Sequence, residues 1–276
     1  MGRFHRHDDG TEHDHDHAAD GHAHAHDAGR DVGDMTGYET GTERVQVLEA
    51  IFDENDRVAA ANRVDFAEHG VRVVNLMSSP GAGKTTLLRE TLVRLQGKSR
   101  VGIIEGDIET SIDADRLEGL GASVALVNTG NGFGGECHLD APMVRSALGR
   151  VPLADIDLLF IENVGNLVCP AEFDVGESAR AMVYSPTEGE EKPLKYPVMF
   201  RTADVVVVNK IDLLPYLDFD VARCIAAARR VNPAIEVIEL SARTGQGMDE
   251  WLAWIEFSAR AARRPGTARP LAAAAC

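Results

Sequence analysis

Short apolar runs punctuate the chain, and their texture is the first guide to the fold. Residues 71–77 (VRVVNLM), 100–105 (RVGIIE), 123–128 (SVALVN), 157–163 (DLLFIEN), 203–209 (ADVVVVN) and 235–241 (IEVIELS) are nearly continuous in apolar character and rich in β-branched side chains. A strand exposed on one face alternates apolar with polar positions, whereas a strand covered on both faces does not. Six buried strands are therefore predicted, and residues 179–185 (ARAMVYS) offer a further candidate. Most intervening segments are long enough for a crossover helix. That combination predicts an α/β fold, a mainly parallel sheet with helices on both faces.

Helical spacing frames this body. Val45, Leu48, Ile51 and Phe52 recur at helical intervals and predict an amphipathic helix from about residue 43 toward Phe66. Residues 247–262 predict a last helix and 263–276 a loose tail. Residues 1–40 hold His, Asp, Gly and Ala with almost no large apolar groups. Such a segment cannot offset its ordering entropy and is expected to be disordered. The expected organisation is a leader over 1–40, one α/β domain over 41–262 with an N-terminal helical segment, and a disordered tail over 263–276.

Charge narrows the partners. Among 276 residues, 28 are Lys or Arg and 44 are Asp or Glu, a formal net charge of −16. A field of that sign argues against nucleic acid and anionic membrane as partners. No run approaches the length of a membrane span, and the polar, acidic first thirty residues are unlike a signal peptide. Four scattered cysteines, at 137, 169, 224 and 276, do not resemble a disulfide framework. A reducing cytoplasm is the expected location, with any special cysteine a ligand rather than a bridge. Cys224, in VARCIAAARR, is expected in the core, and Cys276 receives no role.

The chemistry begins at SSPGAGKTT, residues 78–86, which follows the first strand and precedes a helix. In that context Gly81, Ala82 and Gly83 form a loop whose backbone N–H groups cradle phosphate oxygens. Lys84 is expected on the β- and γ-phosphates, Thr85 on Mg²⁺ and Thr86 near the α-phosphate. The loop departs from the usual pattern at its first position, where Ser78 replaces glycine.

NKID, residues 209–212, selects the base. Asp212 can accept from guanine N1–H and the 2-amino group, a pair that adenine does not present. Asn209 is placed for the opposite edge and Lys210 along the base plane, while the backbone at Ser241 and Ala242 is placed to donate to guanine O6. The order of elements, each at the end of a strand, identifies a GTP site. Two carboxylates complete it: Asp107, for Mg²⁺ or a metal-bound water, and Glu162, facing the same ion or the attacking water. Glu105 is the alternative to Asp107, whose other reading is a helix N-cap. Gly165 is placed to sense the γ-phosphate, so that Lys84, Asp107, Glu162 and Gly165 form the expected catalytic group.

GGECHLD brings Cys137 and His138 out after the third strand, and NVGNLVCP brings Cys169 out seven residues after Glu162. Thiolate, imidazole and thiolate suit Zn²⁺ or Ni²⁺ and suit Mg²⁺ poorly. Three ligands leave a tetrahedral ion one short, to be completed by water or a second subunit. Metal affinity is expected to depend on the bound nucleotide.

These blocks resemble the HypB family, GTPases of the SIMIBI class that help insert nickel into nickel-iron hydrogenase. SSPGAGKTTLL, EGDIETSIDADRL, CHLDA, ENVGNLVCP, PTEGEEKPLKYP, NKIDLL and SARTGQG carry the resemblance over roughly residues 45–260. It implies a GTP-dependent homodimer with Cys137, His138 and Cys169 binding metal at the interface. It also implies work with a zinc-containing HypA-like partner and delivery to the hydrogenase large subunit. Two features depart from the family: residues 1–34 lack the cysteine motif with which some members bind nickel, and the loop before CHLDA is longer than the common form.

The leader then acquires a meaning. His5, His7, His13, His15, His17, His22, His24 and His26, eight of the chain's ten histidines, are interleaved with carboxylates. Neutral imidazoles bind Ni²⁺ and Zn²⁺ well, and a flexible chain supplies several to one ion, so the tract is expected to buffer nickel. Two alternatives stand beside the nickel-delivery GTPase. One is a mainly metal-storage protein. The other is a UreG-like urease nickel-insertion GTPase, whose metal motif is Cys-Pro-His rather than the adjacent Cys137 and His138.

Overall fold

A computed structural model describes residues 5–6, 12–13, 42–107, 117, 119–129 and 137–262, with the side chains of 5–6, 12–13, 42–48, 107 and 257–262 outside that description. Two units divide between Val45 and Gln46. Within the first, His5–Arg6 pairs antiparallel with Glu12–His13. The rest of the expected leader, its histidine side chains and the expected tail lie outside the described residues.

In the second unit seven strands form one parallel sheet: β1 (Arg72–Ser78), β2 (Val101–Asp107), β3 (Ser123–Asn128), β4 (Leu158–Glu162), β5 (Ala179–Tyr184), β6 (Val205–Val208) and β7 (Glu236–Glu239). Their spatial order is β3-β2-β4-β1-β5-β6-β7. Central β1, β4, β5 and β6 are buried throughout, whereas edge strand β7 buries only Ile238 fully. Four of the six continuous apolar runs thus became interior strands, as expected for strands covered on both sides, whereas 123–128 and 235–241 became the two edge strands, within which only Ala125 and Ile238 are buried.

Alternation along β1 shows how the layers are divided. Val74 and Leu76 join the core made with helix α2 (Lys84–Leu95) and the last helix, α4 (Met248–Ala262), through Leu88, Leu92, Trp251 and Ile255. Val73 turns to the opposite face, against Phe66 of α1 (Thr42–Glu68) and Val144 of α3 (Ala141–Ala147). On that face Met77 meets a further cluster containing Phe200 and Cys224. Cys224 is 2% exposed, in the core as its helical setting indicated. Trp251 Nε1 donates to Thr91 Oγ1 at 2.9 Å, so the buried indole is satisfied.

The N-terminal helix forms where its periodicity placed it, but it buries a different face. Ile51 and Phe52 are 48% and 37% exposed, and the buried positions are Asn55, Ala59, Asn62 and Phe66. Two asparagines on a buried helical stripe are invisible to a search for apolar spacing. They carry hydrogen bonds described below.

Candidate functional site

The chain runs β1 to β4 on one side of the sheet and continues through β5 to β7 on the other, so direction reverses beside β1. Ligands in open α/β sheets bind outside the carboxyl ends at such a point. A cleft of about 500 Å³ lies there, walled by Gly81 and Gly83 of the loop after β1, by Lys84, Thr85 and Thr86 in the first turn of α2, by Glu105 and Gly106 of β2, by Glu162 and Gly165, and by Lys210.

Local geometry explains the loop's residues. Gly83, at the N-cap of α2, has φ +97°, a left-handed conformation that favours glycine. A Cβ there would lie 2.6 Å from Asn209 Nδ2. Lys84 Nζ donates to Ser78 Oγ at 2.7 Å, and Ser78 Oγ donates to Ser79 O at 2.6 Å. The serine at the irregular first position therefore holds the phosphate-loop lysine. Thr85 Oγ1 donates to Glu162 Oε1 at 2.8 Å, bringing hydroxyl and carboxylate together at the cleft. Both are hard oxygen donors, the chemistry Mg²⁺ requires. Ser79 Oγ donates to Glu188, which also closes a capping box with Ser185 after β5.

Asp107 ends β2, with its backbone in register with Asn128. Its side chain lies outside the described residues. Glu105, the alternative acid, is 2% exposed and lines the cleft.

Asn209 joins two loops. Its Nδ2 donates to Ala82 O at 2.9 Å, and its Oδ1 accepts from Ala242 N at 3.0 Å and from Lys210 N at 2.8 Å. An amide oxygen accepts two hydrogen bonds and the nitrogen donates two, so one N–H remains beyond the bond to Ala82. Lys210, in the left-handed region at φ 65°, places Nζ 2.5 Å from Gly81 O, across the phosphate loop. Asp212 Oδ1 accepts from Ser241 Oγ at 2.6 Å. Asp212, Ser241 and Ala242 do not wall the cleft; Asn209 links their neighbourhood to it.

Beside this cleft Cys137, His138 and Cys169 converge, with one potential ligand atom from each lying within 4.8 Å of the others. The two Sγ atoms are 3.0 Å apart, and no disulfide joins them. Burial, then the hydrogen bond shared with Cys137, pushes the Cys169 thiol up to about 11. The three residues expected to form a soft-ligand trio are neighbours in space.

The segment between Glu162 and Cys169 touches both centres. Gly165 packs so tightly on the phosphate loop that a Cβ would lie 3.1 Å from Pro80 Cα. Asn163 Oδ1 accepts from Leu139 N at 2.9 Å, and Asn166 Nδ2 donates to Cys137 O at 3.4 Å. Behind Cys169, buried Arg180 donates to Ala171 O at 3.1 Å and Phe173 O at 3.2 Å while pairing with Glu177. These supporting residues escaped the sequence reading, because nothing local marks partners so distant in the chain.

A phosphate-loop cleft and a cysteine–histidine cluster able to hold a metal ion define the class: a nucleotide-binding protein with a candidate metal site. Residues 72–239 match the family model described as CobW/HypB/UreG, nucleotide-binding domain. The chain is 52% identical over 227 residues to a hydrogenase maturation factor HypB of Escherichia coli K12, covering 81% of this chain and 77% of the relative. It is 55% identical over 212 residues to the factor of the same name from Azotobacter vinelandii, covering 77% and 69%. Among solved structures, HypB from Helicobacter pylori in complex with nickel superposes with TM-score 0.70 at 33% identity, over 78% of this chain and 99% of that one. HypB from Archaeoglobus fulgidus gives 0.69 at 38%, over 75% and 99%. The chain belongs to the HypB family of hydrogenase maturation factors. Among the described residues, no helix is long and apolar enough to cross a membrane.

Proposed function

We propose that the chain is a GTP-hydrolysing nickel metallochaperone, in which the nucleotide state governs metal held by Cys137, His138 and Cys169. The observation that carries this reading is the single segment 162–169. It begins at a carboxylate bonded to Thr85, packs Gly165 on Pro80 and ends at a sulfur of the trio. A change at the γ-phosphate is felt by Gly165 and transmitted over four residues to Cys169.

Within the cleft, the loop's N–H groups and Lys84 neutralise phosphate charge, and hydrolysis needs little more than positioning. Water attacks the γ-phosphorus, the bond to the bridging oxygen breaks, and GDP and phosphate leave. Mg²⁺, when bound by Thr85 with Glu162 or Asp107, supplies further charge neutralisation. Asp212 reads guanine and Asn209 offers its remaining N–H to the opposite edge; contrary to the sequence expectation, the backbone N–H groups of Ser241 and Ala242 are engaged elsewhere, donating to Gln246 O at 2.9 Å and to Asn209 Oδ1 at 3.0 Å, so they do not serve O6. The soft trio holds Ni²⁺ or Zn²⁺ as cargo, completed by water or by a second copy in a GTP-dependent homodimer. The leader histidines buffer nickel in the cytoplasm, a HypA-like partner shares the transfer, and the hydrogenase large subunit receives it.

The test is hydrolysis of GTP against ATP by the full chain, with Asp212→Asn and Lys84→Ala beside it. The reading expects GTP-selective turnover, reduced selectivity in the first variant and lost turnover in the second. Equal use of ATP would overturn it.

A further inference from the structure

We propose that Asn55 is a positioning residue for the metal trio, fixing from outside both ligand-bearing segments the spacing between them. The inference rests on the reading of Cys137, His138 and Cys169 as a metal site. Asn55 lies on α1, far in sequence from either segment, and is 3% exposed. Its Nδ2 donates to Asp174 O at 2.9 Å, and its Oδ1 accepts from Ala141 N at 2.9 Å. Ala141 follows His138 by three residues and Asp174 follows Cys169 by five. One planar amide therefore spans from the segment of Cys137 and His138 to that of Cys169.

Two further contacts of α1 repeat the link. Asn62, on the same helical face, donates through Nδ2 to Ala141 O at 3.1 Å and to Val175 O at 3.2 Å. Phe52 stacks on Phe173 with ring centroids 5.2 Å apart, and Phe173 packs on the His138 imidazole at 4.2 Å. Asparagine is a poor interior helix residue, and burying its amide is costly unless it is bonded. An apolar side chain would serve α1 and its packing better. The two amides instead bind the backbones on which the ligands ride.

Metal centres depend on such supports. Ligands must be held within about half an ångström of the productive geometry, and loss of an outer partner typically weakens metal binding 10–100-fold. Asn55 acts through Ala141 and Asp174, while Phe52 acts through Phe173 on the ring of His138.

The experiment uses the full chain with Co²⁺ as the probe, reading the thiolate-to-metal charge-transfer band, the visible ligand-field bands and affinity by chelator competition. In Asn55→Ala the expected result is roughly 10–100-fold weaker Co²⁺ binding with altered ligand-field bands, while GTP binding is retained. Phe52→Ala, which truncates a side chain 37% exposed, is expected to weaken binding in the same direction. Should Asn55→Ala fail to bind GTP, Phe52→Ala decides alone. Absence from the unsubstituted protein of a charge-transfer band that Cys169→Ser removes would overturn the metal reading and this proposal with it. A normal band there, with unchanged affinity and spectrum in the folded variants, would overturn the clamp alone.

Discussion

Replacing Asn209 by alanine should loosen the nucleotide site even with no nucleotide bound. The substitution removes the bonds to Ala82 O and from Ala242 N, which join loops from opposite parts of the chain. Ala82 and Ala242 are 1% and 2% exposed, so water does not readily replace the lost partner. A buried acceptor and a buried donor left unmet cost about 1–3 kcal/mol each, or about 2–6 together. In a domain of this size each kcal/mol lowers the thermal midpoint by about 2–4 °C, which predicts a fall of roughly 4–24 °C. Gly83→Ala carries two penalties: about 1–2 kcal/mol for a left-handed alanine, and the close approach of its Cβ to Asn209 Nδ2 at 2.6 Å. Combining the variants removes the second penalty and leaves the first. A double-mutant cycle, read by urea unfolding and by binding of a fluorescent GTP analogue, should give a favourable coupling of about 1 kcal/mol or more. Strictly additive losses, or a cost for Asn209→Ala below about 1 kcal/mol, would refute the reasoning.

Arg180→Met should cost about 3–5 kcal/mol, because it strands the buried Glu177 carboxylate and two carbonyls behind Cys169. Urea midpoints check this, and Glu177→Leu in the same chain should recover part of the loss. Metal binding by the trio should strengthen as pH rises through the neutral range. Protons compete for a Cys169 thiol whose ionisation is pushed up to about 11, and a chelator-competition series checks the slope. The metal-free fold should instead weaken as pH rises from about 9 toward 11. Folding favours the neutral thiols of Cys169 and Cys224, both raised to about 11 from 9.0, so the unfolded chain ionises first. Thermal midpoints measured across that window in the presence of a chelator give the test.

Much of the fold was legible because burial on both faces leaves a simple trace. Val205–Val208 has no polar position to expose, and it became an interior strand. The order of the phosphate loop, Glu162, NKID and SAR likewise assigned each motif to a strand's end. Tertiary roles of polar residues were less legible. Asn55 and Asn62 look like a solvated helix face, yet they are buried because their amides meet loops more than 70 residues away. Ser78 looked like a lapse in a motif until its hydroxyl was found on Lys84. The sequence marked Asn209 only as a candidate for the base; its ties to Ala82 and Ala242 depend on how distant loops fold together.

The central claim is that the soft-ligand trio and the nucleotide cleft communicate through residues 162–169. The most direct measurement is calorimetric titration of Ni²⁺ into the chain bound to GDP and, separately, to a non-hydrolysable GTP analogue, with Cys169→Ser as the control for leader binding. The account predicts that the Cys169-dependent affinity differs between the two states by about fivefold or more. The same affinity in both states would contradict it.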